Sequence, residues 1–136
     1  MTATFFGHRD SPPEVEIPLR KILDDLIRNR GVRRFYVGDQ GRFDKLVLRI
    51  LSEYQKANAD ICVEKVLAYL PEKAQDMPTV YPDGIEKVPF CYAIPFRNRW
   101  MIMHADIVVC YVRSSYGGAA AAAEFAKQRK KEILFL

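Results

Sequence analysis

The sequence predicts an α/β protein, a Rossmann-like three-layer sandwich built on a mostly parallel sheet of about five strands. Two observations predict this class. Short apolar runs alternate along the chain with segments whose apolar residues recur at helical spacing. Glycines or polar turns end several of the apolar runs. Strands that alternate with helices pair in parallel, so we expect helices on both faces of the sheet.

Each element is predicted from its own pattern. A strand is predicted where an apolar run precedes a glycine or a turn, and a helix where apolar residues recur every three or four positions. The clearest helical pattern runs from Phe43 to Tyr54. The predicted strands are Thr2–Phe6, Arg33–Val37, Ile61–Ala68, Asp106–Val112 and Glu132–Leu136. The predicted helices run from Pro12 to Gly31, from Phe43 to Tyr54, from Arg97 to His104 and from Ala119 to Lys130.

The segment 71–95 breaks the alternation. Five of the eight prolines lie in it, and a connection of this length is unusual inside a compact domain unless it is functional. We interpret it as a loop or lid. The 136 residues otherwise suit one domain, spanning 1–136, because chains of this length bury enough surface for a single core.

Composition and charge exclude several classes of protein. Hydrophobic residues make up 49% and charged residues 28%, which excludes disorder, collagen and a coiled coil as the main description. No apolar run is long enough to cross a bilayer, and the start of the chain lacks the pattern of a secretory signal. We therefore expect a cytoplasmic protein with no membrane partner. The net charge of +4 is spread evenly and suits an anionic ligand.

The three cysteines predict neither a disulfide framework nor a metal site. They are odd in number, far apart and without C-x-x-C spacing. Cys62 and Cys110 lie in apolar runs, so we expect both to be buried. No metal and no cofactor are expected from the sequence.

Three segments that follow strands predict a ligand site. They are Gly7–Arg9, Gly38–Asp44 and Ser114–Gly118, and the last one opens a helix. Glycines let backbone N–H groups approach a ligand, and a helix N-terminus favours an anion. The carboxyl ends of parallel strands share one edge, so the three segments are expected to meet there. The fingerprints G-x-G-x-x-G and G-x-x-x-x-G-K-[ST] are absent, which disfavours dehydrogenases and Walker-type ATPases.

The same residues resemble the SLOG superfamily, named for the Smf/DprA and LOG proteins, and within it the small bacterial and phage branch of YpsA-like proteins. The opening Phe5-Phe6-Gly7-His8-Arg9 is similar to that branch's F-x-G-H-R. Similar blocks are Phe35–Gly38 with Phe43-Asp44, and Arg97–Met101 running through Asp106 to Gly117-Gly118. The resemblance implies a Rossmann-like fold and a nucleotide-derived ligand at the carboxyl edge of the sheet.

The LOG branch consists of phosphoribohydrolases, which split the N-glycosidic bond of nucleoside monophosphates. Its R-x-x-x-M motif matches Arg97–Met101, and its G-G-x-G-T-x-x-E motif aligns with Gly117–Glu124. The resemblance therefore implies Arg97 and Glu124 as catalytic residues. The motif's second glycine position and its threonine are alanines here, and the missing hydroxyl weakens the enzymatic reading more than the binding one.

Candidate ligand-binding residues come from the post-strand segments and from the family motifs. Asp44 could bind a ribose hydroxyl or stabilise its helix through the dipole, and His8 could contact phosphate or fix its turn. Arg9 and Arg97 could bind phosphate, and the alternative for each is an ordinary surface or turn role. The predicted ligand-binding set is Gly7, His8, Arg9, Gly38, Asp44, Asn98, Ser115, Gly117 and Gly118.

Three functions remain open at this point. The main hypothesis is binding or sensing of a nucleotide or nucleotide-derived ligand at the carboxyl edge. The first alternative is a phosphoribohydrolase that uses Arg97 and Glu124. The second is a single-stranded nucleic-acid-binding module, by analogy with the DprA branch. The even charge and the lack of a basic stripe argue against nucleic acid as a partner. A homodimer is expected from the resemblance alone.

Overall fold

The computed structural model describes all residues from 1 to 136 as a six-stranded sheet flanked by four α-helices. The strands are β1 (Thr2–Gly7), β2 (Arg34–Val37), β3 (Cys62–Val66), β4 (Thr79–Val80), β5 (Ile107–Tyr111) and β6 (Glu132–Phe135). The helices are α1 (Glu16–Asp24), α2 (Gly41–Ala57), α3 (Ala93–Met103) and α4 (Gly118–Gln128). The 3₁₀ turn Pro13–Val15 precedes α1, and the π-helical turn Asp25–Asn29 extends it.

All strand pairs are parallel, and the strand order is β4-β3-β2-β1-β5-β6. The chain runs outward from β1 to β4 on one side and then crosses back to place β5 on the other side of β1. The strand order therefore reverses between β1 and β5. Ligands of open α/β sheets bind outside the carboxyl ends of the strands at such a reversal.

Two apolar cores make the three layers. On one face, α1 and α2 pack on strand residues that include Phe5, Phe35 and Val109. On the other face, α3 and α4 cover strand residues that include Phe6 and Cys110. Neighbouring residues of a strand enter opposite cores because successive side chains of a strand point to opposite faces. The predicted Rossmann-like sandwich is confirmed.

The segment 71–95 adds a sixth strand to the predicted sheet. Thr79 and Val80 pair with Lys65 and Val66 of β3, and two short 3₁₀ helices follow. Two residues are too few to give an alternating apolar pattern, so the strand leaves no trace in the sequence. Helix α3 begins four residues before the predicted Arg97, because the first turn of a helix accommodates Pro95. A lid function for the segment stays a prediction.

The two cysteines that were expected to be buried behave differently. Cys110 lies in the central strand β5, and burial raises the pKa of its thiol to about 12. Cys62 is exposed, so its prediction is wrong. It is the first residue of β3, and its side chain points to the face opposite the core that its neighbours Ile61 and Val63 enter. None of the helices is both long and apolar enough to span a membrane.

Candidate functional site

A cleft of about 450 Å³ lies at the carboxyl edge of the sheet, beside the point where the strand order reverses. We call it the carboxyl-edge cleft. The end of β1 and the loop after it form one wall, and α3 and the start of α4 form the other. Its polar lining consists of His8, Arg9, Asp10, Gln40, Asp44, Arg97 and Asn98.

The shape of the cleft wall formed by β1 depends on the close packing of α2 against β1 and the loop after it. A Cβ atom on Gly7 would run into the ring of Phe43, so glycine is required for α2 to approach β1. Gly41 has a φ of +81°, and a Cβ there would lie 2.6 Å from the Cα of Arg9. The amide of Arg42 donates to the carbonyl of Arg9 at 2.9 Å. The start of α2 therefore fixes the backbone of Arg9, whose exposed side chain donates to Gln40 Oε1 at 3.3 Å.

Arg97 ties three elements together from inside the cleft wall. Only 2% of the residue is exposed. Its Nη1 donates to Asp39 Oδ1, which follows β2, at 2.8 Å and to the carbonyl of Val66 in β3 at 2.9 Å. Its Nε donates to Asn98 Oδ1 at 2.9 Å. Nη2 has no protein acceptor and is not fully buried, so this nitrogen remains available to a ligand in the cleft.

Asp44 is a buried carboxyl group beside that arginine. Burial raises the pKa of Asp44 to about 6, although the amide of Gln40 donates to its Oδ2 at 2.9 Å and Arg97 attracts its negative charge. A Cβ on Gly38 would lie 2.8 Å from Asp44 Oδ2 and 3.2 Å from the guanidinium carbon of Arg97. Gly38 therefore leaves room for the two charged side chains and does not line the cleft itself.

His8 joins the loops that follow β1 and β5. The backbone amide of Arg113 donates to its Nε2 at 2.8 Å, and its ring lies edge-on to Tyr111 with 5.8 Å between the centroids. The guanidinium carbon of Arg113 lies 4.4 Å from the centroid of the Tyr111 ring. The contacts of His8 hold the β5 loop against the cleft.

The N-terminus of α4 opens into the cleft without a cap. No side chain caps the helix, and its first backbone hydrogen bond runs from the Ala121 amide to the Gly117 carbonyl. The amides of Gly118 and Ala119 therefore lack protein acceptors, and both residues line the cleft. Free amides at a helix start favour an anion.

The structure brings most of the predicted site residues together. The seven that line the cleft are Gly7, His8, Arg9, Asp44, Arg97, Asn98 and Gly118. Gly38 lies behind the cleft wall, whereas Ser115 and Gly117 are exposed on the loop after β5. Glu124 is exposed on α4 and lines neighbouring depressions. Glu124 is not among the residues that line the carboxyl-edge cleft with Arg97.

Sequence reasoning placed Asp39 and Gln40 in the candidate segment Gly38–Asp44 but assigned neither a role, and it missed Cys91. Asp39 is the ion-pair partner of Arg97, and Gln40 contacts both Arg9 and Asp44. Their place directly after β2 was a usable signal, because every residue after a central strand is a candidate at this edge. Cys91 lines the cleft from the 3₁₀ turn before α3, and no sequence pattern predicts that turn.

The fold and the site define a Rossmann-like α/β protein with a polar cleft at the carboxyl edge of its sheet. No family model and no curated protein sequence matches the chain. Among solved structures, the fold is similar to that of DNA processing protein A from Helicobacter pylori, whose structure describes a single-stranded DNA binding mode. The TM-score is 0.67, the identity is 15%, and the match covers 99% of this chain and 64% of that protein.

This similarity shows a shared fold and supports the superfamily-level fold that the SLOG resemblance implies. It also corrects one expectation. Even charge argued against nucleic acid as a partner, but a protein of the same fold binds single-stranded DNA. Net charge is a poor guide here because local pairing decides which cations are available to a phosphate.

Proposed function

We propose that this chain binds single-stranded DNA at the carboxyl-edge cleft. The distribution of unpaired arginines carries this proposal. Seven arginines form ion pairs with carboxylates, and apart from Arg97 all of them lie away from the cleft. The other five arginines form no ion pair with a carboxylate: Arg9, Arg42, Arg99, Arg113 and Arg129.

Three of these five lie at the carboxyl edge of the sheet, and the other two belong to the helices α3 and α4 that cover one face. Arg9 and Arg113 follow β1 and β5, and Arg42 is in the first turn of α2 beside the end of β2. Arg99 lies on α3, and Arg129 ends α4. Their charges are not neutralised by a protein partner, so they can exchange counterions for backbone phosphates.

The cleft supplies donors for a phosphate group. The free amides at the start of α4, the Nη2 of Arg97 and the exposed side chain of Arg9 border the same space. Hydrogen bonds from ionised donors to phosphate are shorter and stronger than neutral ones. Backbone donors and a fixed guanidinium need little ordering when the phosphate arrives, which favours binding.

Exposed aromatic rings at the same edge suit unpaired bases. Phe90 is 76% exposed, Tyr92 61% and Tyr116 78%. The ring of Phe90 stacks on Tyr69 with 4.3 Å between centroids, and the Tyr69 hydroxyl donates to the Phe90 carbonyl. Bases of single strands stack on such rings, at about 1–3 kcal/mol per base, without strong sequence preference.

Membership of the SLOG superfamily is part of the proposal. It is supported by the motifs of the chain together with the fold shared with DNA processing protein A. The YpsA-like branch rests on the motifs alone, and the homodimer rests on the resemblance alone.

The test is fluorescence anisotropy with a labelled dT12 oligonucleotide over a salt series. We expect binding at low salt and a linear fall of log affinity with log salt, with a slope of about 0.7 for each phosphate contact. Arg9→Ala is expected to weaken binding. Arg28→Ala is the matched control, because Arg28 is 71% exposed, pairs with Asp24 and lies away from the cleft. Absence of dT12 binding at low salt contradicts the proposal.

A free nucleotide in the same cleft is the second candidate. The cleft volume of about 450 Å³ favours it, since small-ligand sites span about 300–1,000 Å³. Thermal shifts with AMP, other nucleoside monophosphates, ADP-ribose and NAD test it. A ligand at about 100 times its Kd adds about 2.7 kcal/mol to stability. A selective shift that disappears in Arg9→Ala, together with absent dT12 binding, favours the nucleotide over the strand.

A further inference from the structure

A second depression continues the carboxyl-edge cleft between α3 and α4. We call it the α3–α4 groove; it has a volume of about 290 Å³. Four residues line both spaces: Ile94, Pro95, Asn98 and Gly118. The groove exists because alanines 121 and 122 of α4 have small side chains where they face α3. The two spaces are therefore continuous, and a chain-like ligand held in the cleft can extend into the groove.

Arg99, which lines the groove, and Arg129, which lies beyond it against Phe125, have no acidic partner. The guanidinium carbons of Arg99 and Arg129 lie 5.4 and 5.6 Å from the centroid of the Phe125 ring. Cation–π contact with one ring holds both groups near each other and reduces the entropy lost on binding an anion. The Nε of Arg129 also lies 3.0 Å from the Met103 sulfur, which orients its side chain further.

The lining of the groove suits a nucleotide. Ile94, Pro95 and Phe125 provide apolar surface for a base, while the guanidinium groups of Arg99 and Arg129 are available for phosphates. Arginine combines charge with a planar fork that matches phosphate oxygens.

The geometry points to this groove as the path of the DNA strand beyond the carboxyl-edge cleft, with its next backbone phosphates against Arg99 and Arg129. This inference rests on the proposed single-stranded DNA binding. Glu124 is the one carboxylate that lines the groove, and it repels the strand. In this arrangement Glu124 limits affinity instead of acting in catalysis.

The experiment measures dT12 affinity and its salt slope for Arg99→Ala/Arg129→Ala. We expect affinity to fall by roughly tenfold at low salt and the slope to fall by about 1.4, or about 0.7 for each lost phosphate contact. The matched control is Arg28→Ala/Arg49→Ala, which removes the same charge from exposed, ion-paired positions outside the groove. Arg9→Ala serves as the cleft variant.

Two gain-of-binding variants keep the test independent of folding. Glu124→Gln removes the repelling carboxylate, and Gln128→Lys adds a cation at an exposed position that lines the groove. Both are expected to tighten dT12 binding by a few fold. Gln128→Lys should steepen the salt slope because it adds a phosphate contact, and Glu124→Gln should preserve it. Circular dichroism melting verifies that each variant is folded.

The outcomes separate this inference from the function on which it rests. If the wild-type protein does not bind dT12, the proposed function fails. If Arg9→Ala weakens binding while the groove double variant and both gain variants match the wild type, DNA binding stands but the strand takes another path. If the groove variants change the sedimentation coefficient but not the dT12 affinity, the groove is a contact between copies of this chain, and the inference is overturned.

Discussion

Replacing Asp44 by asparagine is expected to stabilise the protein. The carboxyl group is only 8% exposed, and burial raises its pKa from 3.8 to about 6. Each pKa unit corresponds to about 1.4 kcal/mol, so the ionised form costs the folded state about 3 kcal/mol. Asparagine has nearly the same shape, carries no charge and can still accept the hydrogen bond from the Gln40 amide through its carbonyl oxygen.

The gain should depend on pH in a defined direction. The folded protein keeps the Asp44 proton up to about pH 6, whereas the unfolded chain releases it near 3.8. The cost is therefore absent at low pH, grows between these values and is complete above about pH 6. We expect Asp44→Asn to gain about 3 kcal/mol at pH 7.5 and about half of that at pH 5.

Urea unfolding followed by the fluorescence of Trp100, the single tryptophan, measures both values. Asp76→Asn is the control, because Asp76 is exposed and forms no ion pair. A gain that is equal for both variants, or that does not change between pH 5 and pH 7.5, would refute the reasoning. It would mean that water or Arg97 compensates the Asp44 charge fully.

Three further predictions address packing, accessibility and chemistry. Gly7→Ala should lower the free energy of unfolding in urea by about 1–3 kcal/mol, since the new methyl group meets the Phe43 ring. The control Gly118→Ala places its methyl group in open space and should change that free energy by no more than about 0.5 kcal/mol. In a thiol-reagent assay, Cys62 and Cys91 should react in the folded protein, and Cys110 only on unfolding; a third fast thiol would contradict its burial. Incubation with AMP should release no adenine, because Glu124 lies outside the carboxyl-edge cleft that Arg97 lines. Adenine release that Glu124→Gln abolishes would establish the phosphoribohydrolase instead.

The fold was predictable because its central strands are long and apolar. Strands such as β5 are buried along their whole length, so the apolar run and the strand nearly coincide. The amphipathic pattern from Phe43 to Tyr54 predicted α2 but missed its first two and its last three residues, because the residues at both ends of the helix do not enter the core. β4 could not be predicted, because its two residues pair through backbone atoms at the edge of the sheet.

The site was predictable in its position but less so in its contacts. The glycines after the strands identified the edge, because neighbouring elements pack closely there. At Gly7, for example, a side chain would collide with the Phe43 ring. The partner of Arg97 was not predictable, since Asp39 lies 58 residues away and the pairing depends on the register of two elements. The division of arginines into paired and unpaired sets is likewise a property of the folded surface, so composition and net charge concealed it.

The contacts of Arg97 explain how a buried cation can serve a binding site. Burying a guanidinium group is costly unless its donors are satisfied, and here one ion pair and two further hydrogen bonds satisfy Nε and Nη1. These bonds hold the group between β2, β3 and α3, so its remaining nitrogen has a fixed position relative to the free amides of α4. A lysine could not replace it, because one ammonium group cannot span three acceptors and still present a donor to the cleft. The arginine is therefore required first by the fold, and the donor that it offers to a phosphate is a consequence of how the fold holds it.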